Sequence, residues 1–203
     1  MPQLTEAVLR DRVRAAVRAT PITDIHTHLY PPSFGPLCLT GIDALLTYHY
    51  LLAETLRWAP VPYDAFWTLP KREQADLVWR TLFLEHSPVS EACRGVLTAL
   101  AALGLDPGAR DLAGYRRWFA EQDAAALVDR VFAAAGIRQV VMTNDPFDEA
   151  ERPCWAGDTA RDPRFAAALR IDVLLNSWPA PVPRLQAWGY RVTEALTPAT
   201  LAE

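Results

Sequence analysis

Two histidines in the segment Asp24-Ile25-His26-Thr27-His28 are the residues best suited to chemistry. They lie in residues 22–29, a short alternating segment rich in β-branched residues, which predicts a strand. Because alternate side chains of a strand project to the same side, the two imidazoles could reach one divalent ion. Asp24 shares that side, where its carboxylate would orient an imidazole. We therefore expect His26 and His28 to bind a divalent metal, Zn²⁺ or alternatively Mn²⁺; otherwise they are solvated residues at a strand end.

Two further polar segments stand beside predicted strands. Thr143-Asn144-Asp145-Pro146 ends the second strand, and Arg170-Ile171-Asp172 leads into the third. The first segment lies at the same edge of a parallel sheet as the histidines, although it is also good chemistry for an ordinary Asx turn. The Arg170 guanidinium is suited to a substrate carboxylate, because its fork matches two oxygens. The alternative is an arginine that offsets the dipole at the end of a helix.

The remaining histidines lie in helical patterns. Tyr48-His49-Tyr50 falls inside a predicted helix, and His86 falls at the end of another. Spacing alone favours a structural role for both, since an isolated histidine in a helix usually has its hydrogen bonds satisfied within the protein.

The pattern of apolar residues predicts an alternation of helices and strands. An amphipathic helix is expected at 3–19, a strand at 22–29 and a second strand at 137–143. Between these strands, helices are predicted at 41–56, 72–86, 90–105, 113–122 and 123–136, with an irregular loop at 58–70. After them come a helix at 162–170, a strand at 171–176, a helix at 183–196 and a final helix with Thr197 as its N-cap.

Strands separated by helices indicate βα units and therefore an α/β fold with a parallel sheet. Three strands are too few for a closed eight-stranded barrel, which takes about 250 residues. We expect residues 1–203 to form one partial domain, the N-terminal part of a TIM-like (β/α)8 barrel with a large helical insertion at about 40–135, after strand one. The last predicted helix stops barely two turns after it begins, which is typical of a truncated chain.

Composition excludes several classes of function. The 203 residues carry 20 Lys and Arg against 24 Asp and Glu, so the net charge is −4, which argues against a nucleic-acid partner. No apolar run approaches the roughly 20 residues of a membrane span, so we expect no membrane partner. The three cysteines are far apart and odd in number, as in proteins of a reducing cytoplasm. The sequence also has no glycine-rich phosphate loop and no nucleophile elbow.

Taken in order, these motifs resemble the uronate (glucuronate) isomerase family of the amidohydrolase superfamily. His26 and His28 match its His-x-His, and 143–148 match the motif at the end of its next strand. Tyr48-His49-Tyr50 matches its Asp-His-Tyr with the first residue changed, and Arg170-Ile171-Asp172 matches its Arg-Pro-Asp without the proline. The family's following Lys-Trp-Arg is replaced by residues 51–53, Leu-Leu-Ala. The resemblance covers the chain and corresponds to the N-terminal half of the family.

The resemblance implies aldose–ketose isomerisation of a hexuronate, glucuronate to fructuronate or galacturonate to tagaturonate. It assigns metal binding to His26 and His28 and catalysis to Tyr50 and Arg170. It assigns substrate binding to four residues, His49, Thr143, Asp145 and Arg170. The family's other metal ligands and catalytic residues belong to its second half, so we expect a missing C-terminal half or a homo-oligomer to complete the site.

Two other functions remain open at the level of sequence. A metal-dependent hydrolase of the same superfamily would activate water instead of moving a proton, and a neutral amide or ester would not require Arg170. A catalytically inactive fragment is the other alternative.

Overall fold

The structure, a computed structural model, describes residues 5–155 and 162–203. Its strands are β1 (Ile22–Asp24), β2 (Ile137–Asn144) and β3 (Phe165–Leu169). Its α-helices are α1 (Glu6–Ala19), α2 (Ile42–Leu46), α3 (His49–Trp58), α4 (Tyr63–Thr68), α5 (Lys71–Val78), α6 (Glu91–Ala102), α7 (Leu112–Ala120), α8 (Ala124–Ala135), α9 (Arg152–Trp155), α10 (Asp172–Asn176), α11 (Val182–Ala187) and α12 (Pro198–Leu201). A π-helix, Trp79–Glu85, continues α5, and 3₁₀ turns occupy Pro32–Leu37 and Pro107–Ala109.

The three strands form one sheet in the order β1-β2-β3. β2 and β3 run parallel, with Val140 opposite Phe165 and Asn144 opposite Leu169. Burial alternates along β2, where Val140, Met142 and Asn144 are buried and Thr143 is exposed. The expected mixed α/β fold with a parallel sheet is therefore confirmed.

The chain divides into two compact units. The first comprises Met1–Thr23 and Cys38–Arg138, and it contains the helices α1 to α8. The second comprises Asp24–Leu37 and Gln139–Glu203, and it contains β3 and the helices α9 to α12. The expectation of a single partial domain stays a prediction.

The first unit has an apolar core built by its short helices. Its largest fully buried side chains include Phe66, Phe83, Ile42, Leu46, Leu51 and Leu100. Phe66 lies in α4, so the prediction of an irregular loop at 58–70 is wrong. The prolines do not break this segment, because Pro62 and Pro70 stand at the N-caps of α4 and α5, where a missing N–H costs little.

The helix predicted at 41–56 is interrupted. α2 ends at Leu46, and Tyr48 takes an extended conformation (φ −68°, ψ 141°) before α3 begins at His49. The Thr47 hydroxyl donates to the carbonyl of Asp43 at 2.7 Å, which caps the end of α2. As a result Tyr48-His49-Tyr50 stands at the start of a helix and not in its middle, where the sequence pattern placed it.

The predicted helix and strand between 162 and 176 are exchanged in the structure. Residues 165–169, Phe-Ala-Ala-Ala-Leu, form β3, and residues 172–176 form α10. The alanines favour a helix locally, but pairing with the whole of β2 outweighs that preference. Arg170 therefore follows a strand instead of preceding one.

The ends of the chain follow the sequence more closely. α1 begins after Thr5, whose hydroxyl caps the helix, and ends at Ala19, where the helix predicted at 3–19 also ends; α12 begins after its predicted N-cap, Thr197. The helix predicted at 183–196 is shorter, because α11 ends at Ala187 before Gly189 with its positive φ of 96°. None of the side chains of α1 is buried. Among the described residues, no helix is long and apolar enough to cross a bilayer.

Arg116 on α7 ties three segments of the helical unit together. Its Nε donates to Asp43 Oδ1 at 2.8 Å, its Nη1 lies 2.7 Å from Asp76 Oδ1, and its Nη2 donates to the carbonyl of Arg72 at 3.1 Å. The Arg116 side chain is only 15% exposed and that of Asp43 is 27% exposed, so the bond between these two is shielded from solvent. The two carboxylates raise the pKa of the guanidinium against the opposing effect of burial.

We expect Arg116→Ala to lower the free energy of unfolding by about 2 kcal/mol, because it leaves two carboxylates and a carbonyl without their donor. The neighbouring Arg117 is the matched control, since it is 69% exposed and lies 3.6 Å from an exposed Asp111. Arg117→Ala should change the free energy by less than about 0.5 kcal/mol. Urea denaturation followed by circular dichroism measures both, and equal effects would contradict this role of Arg116.

Candidate functional site

A cavity of about 660 Å³ in the second unit brings together most of the residues that the sequence singled out. His26, His28, Thr143 and Arg170 all line it. Its other lining residues are Thr27, Tyr30, Leu169, Ile171, Asp172 and Leu175. The contributing segments follow β1, end β2 and follow β3, so the cavity lies where parallel α/β folds place their ligands.

The two histidines lie in a loop, since β1 ends at Asp24 and the predicted strand 22–29 is shorter than expected. Both are exposed, and their ring centroids are 5.8 Å apart at an interplanar angle of 83°. Asp24 Oδ1 accepts from the backbone N–H of His26 at 3.1 Å, so this carboxylate turns the chain after the strand. Within residues 5–155 and 162–203, no group of three or more His, Cys, Asp or Glu side chains is placed to hold a metal.

Arg170 is held at the edge of the sheet by its backbone and by its side chain. Its N–H donates to the carbonyl of Asn144 at 2.7 Å, which extends the β2–β3 ladder by one bond. Its Nε donates to Asp172 Oδ2 at 3.0 Å. Asp172 raises the pKa of the guanidinium, so Arg170 offers the cavity a permanent positive charge.

A buried carboxylate holds the polar end of β2. Glu151 is 4% exposed, and its Oε1 accepts from Asn144 Nδ2 at 2.6 Å and from Trp155 Nε1 at 3.1 Å. Its Oε2 accepts from the backbone N–H of Asp145 at 3.2 Å. Asn144 is itself buried, and its Oδ1 has no hydrogen-bond partner among the described residues. Glu151 thereby fixes the strand end whose carbonyl holds Arg170.

Asp145 forms the Asx turn that the sequence also allowed. Its Oδ1 accepts from the N–H of Phe147 at 2.9 Å, and its side chain does not line the cavity. Its negative charge still acts on Arg170, whose pKa it helps to raise. Its assignment to substrate binding stays a prediction.

A solved structure is similar to this chain over nearly its whole length. It is a uronate isomerase from Bacillus halodurans C-125, with 50% sequence identity and a TM-score of 0.94 over 98% of this chain. The chain resembles uronate isomerases. It spans about half of that relative, 47% of its length. No protein-family model and no curated protein matches the chain in the comparisons made.

The two other residues that the uronate isomerase resemblance assigns lie in the first unit. His49 and Tyr50 occupy the first turn of α3, and both are exposed. The His49 ring contacts the rings of both Tyr48 and Tyr50, with its centroid 4.2 Å from each, and the two tyrosine rings also contact each other. Spacing alone favoured a structural role here, but the helix break leaves both polar rings accessible.

Sequence reasoning missed two residues, one that lines this cavity and one that supports it. Tyr30 lines the cavity, and burial, followed by the charges of Glu151 and Asp148, raises the pKa of its hydroxyl. Its position two residues after His28 is the signal that could have identified it. No local pattern distinguishes the buried Glu151 from its exposed neighbour Glu149, because only the tertiary fold buries it.

We expect Glu151→Ala to lower the free energy of unfolding by about 2 to 3 kcal/mol, since it leaves three donors without their acceptor. Glu149→Ala is the matched control, because Glu149 is 87% exposed and pairs with Arg184 at the surface. The near-ultraviolet circular dichroism of Trp155 should change in the first variant alone. Equal stability and equal spectra in the two variants would contradict the role given to Glu151.

Proposed function

We propose that this chain carries part of the active site of a metal-dependent hexuronate isomerase. The observation that carries the proposal is one cavity lined by His26, His28 and Arg170 in a chain 50% identical to a uronate isomerase. The reaction converts an aldose to a ketose: a proton moves from C2 to C1 and the carbonyl moves from C1 to C2. Glucuronate to fructuronate and galacturonate to tagaturonate are the two candidate reactions.

The substrate class follows from the charge of the cavity. A hexuronate carries a carboxylate at one end and its reacting carbons at the other. Arg170 would bind the carboxylate, because a guanidinium donates two parallel hydrogen bonds to it. The exposed Thr143 would donate or accept a hydrogen bond with a sugar hydroxyl. A cavity of about 660 Å³ is large enough for a six-carbon acid.

The histidine pair fits two positions of a metal site. Neutral imidazoles are good ligands for Zn²⁺, and Mn²⁺ is the alternative. The two rings are adjacent and exposed, but a catalytic zinc usually has three protein ligands, so another ligand must come from elsewhere. A bound ion would supply Lewis-acid polarisation of the oxygens at the reacting carbons.

Tyr50 and His49 complete the proposed set by resemblance. Tyr50 would donate its hydroxyl to the sugar, and His49 would bind a substrate oxygen. Their exposure at the start of α3 is compatible with these roles, since a buried ring could not reach a ligand.

We also propose that the fold is part of a TIM-like barrel of the amidohydrolase superfamily, and that residues of the other half complete the site. The match to 47% of the relative supports this, as do apolar side chains left exposed around the sheet, such as Ile25 and Leu169 at 74% and 66%. A cytoplasmic location is proposed because the three cysteines are far apart in the sequence and odd in number. The completing half belongs to this protein or to a second copy.

Metal and substrate titrations of the 203-residue chain test this function. We expect Zn²⁺ and Mn²⁺ to bind to the wild type, and His26→Ala and His28→Ala each to weaken binding by about tenfold or more. His86→Ala is the control, since His86 Nδ1 contacts the carbonyl of Thr81 at 2.8 Å and its ring packs on Trp58. Isothermal titration calorimetry measures the affinities.

The same samples are then given glucuronate or galacturonate. We expect either hexuronate to bind more tightly than glucose, which lacks the carboxylate, and any isomerase turnover to vanish in His26→Ala. Metal binding that survives both histidine substitutions, equal affinity for glucose, or turnover independent of His26 would contradict the proposal.

A further inference from the structure

Arg170 is an exposed arginine whose backbone and side chain are both held by hydrogen bonds. Its side chain is 50% exposed, yet its backbone is fixed by the carbonyl of Asn144 and its Nε by Asp172. No other hydrogen bond or ion pair of the Arg170 side chain occurs within the described ranges. The two Nη groups therefore remain available for a ligand in the cavity that Arg170 lines.

The nitrogen of the Arg170 guanidinium that contacts Asp172 decides how a ligand carboxylate can bind. A carboxylate can bind this group side-on, through Nε and one Nη, or end-on, through both Nη groups. Asp172 Oδ2 accepts the Nε–H of Arg170 at 3.0 Å. The side-on mode is thus occupied, and the end-on mode is left for a second carboxylate.

We propose that Asp172 is a positioning residue that orients Arg170 for end-on binding of the hexuronate carboxylate. This inference rests on the proposed function. It deepens that function by assigning the acid specificity to a pair of residues, of which only Arg170 touches the substrate. Asp172 itself lines the cavity and stands two residues after Arg170, at the start of α10.

A contribution to folding stability does not explain the ion pair between Arg170 and Asp172. Asp172 is 62% exposed and Arg170 is 50% exposed, and exposed ion pairs contribute little to folding. An arginine without a partner would sample many rotamers and lose that freedom when it binds a ligand. Holding Nε in advance removes part of this cost, which is the expected benefit of a positioning contact.

The alternative role for Asp172 is to compete with the substrate carboxylate for the Arg170 guanidinium. Its negative charge lies next to the same guanidinium, as does the charge of Asp145, and both would repel an incoming carboxylate. A substitution that removes only the charge must therefore be compared with one that also removes the acceptor oxygen. Asp172→Asn and Asp172→Ala form this matched pair, because asparagine keeps a side-chain oxygen in nearly the same place.

The experiment measures glucuronate and glucose affinities of the 203-residue wild type and both variants by calorimetry, with the same metal present. We expect Asp172→Asn to bind glucuronate within about twofold of the wild type or more tightly. Asp172→Ala should bind it about five- to tenfold more weakly than Asp172→Asn, because the Nε contact is lost. Glucose binding should be the same in all three proteins, and Glu149→Gln should behave as wild type.

Equal glucuronate affinities of the alanine and asparagine variants would overturn the positioning role, and tighter binding by the alanine variant would show a competitor instead. A wild type that does not prefer glucuronate to glucose would contradict the proposed function itself, whatever the variants do. The ¹⁵N resonance of Arg170 Nε tests the orientation without ligand. Its proton should exchange slowly with water in the wild type and in Asp172→Asn, and rapidly in Asp172→Ala; equal exchange in all three would also overturn the inference.

Discussion

The parallel pairing of β2 with β3 is the constraint on which the candidate site depends. It runs from Val140 and Phe165 to Asn144 and Leu169, and the bond from the Arg170 N–H to the Asn144 carbonyl continues it. Without this pairing, the alanines before Arg170 would favour a helix, and the arginine would have no fixed place beside the histidines. The pairing therefore outweighs the local preference for a helix and places Arg170 at the cavity.

The last paired residue of β2 is polar and buried, so its side chain needs hydrogen-bond partners within the protein. Asn144 is buried at the last position of β2, and the Glu151 carboxylate accepts from its amide and from the next backbone N–H. Burying that carboxylate is costly, and three hydrogen bonds offset the cost. The loop after β2 therefore supports the edge of the sheet that carries Arg170 and does not merely connect β2 to the next element.

Residue types alone predicted much of the candidate site, whereas the local pattern of apolar residues predicted less of the fold around it. The histidine pair and Arg170 were singled out because few side chains suit a metal or a carboxylate, but His26 and His28 lie in the loop after β1 and not within the predicted strand. The predicted order of helix and strand around Arg170 was wrong, because local propensity does not depend on the pairing of β3 with β2. Glu151 was missed for the same reason, since its burial depends on the tertiary fold, whereas the position of Tyr30 two residues after His28 was a local signal. His49 and Tyr50 became accessible only through the break between α2 and α3, which the continuous apolar pattern of residues 41–56 concealed.

We propose that one cavity holds a metal at the histidine pair and an acid sugar at Arg170. The most direct measurement is the paramagnetic broadening of ¹³C-labelled glucuronate bound to the Mn²⁺-loaded chain, with the Zn²⁺-loaded chain as the diamagnetic reference. If this proposal holds, C1 and C2 broaden more than the carboxylate carbon C6, and His26→Ala abolishes the effect. Equal broadening of all six carbons, or broadening that persists in His26→Ala, would contradict it.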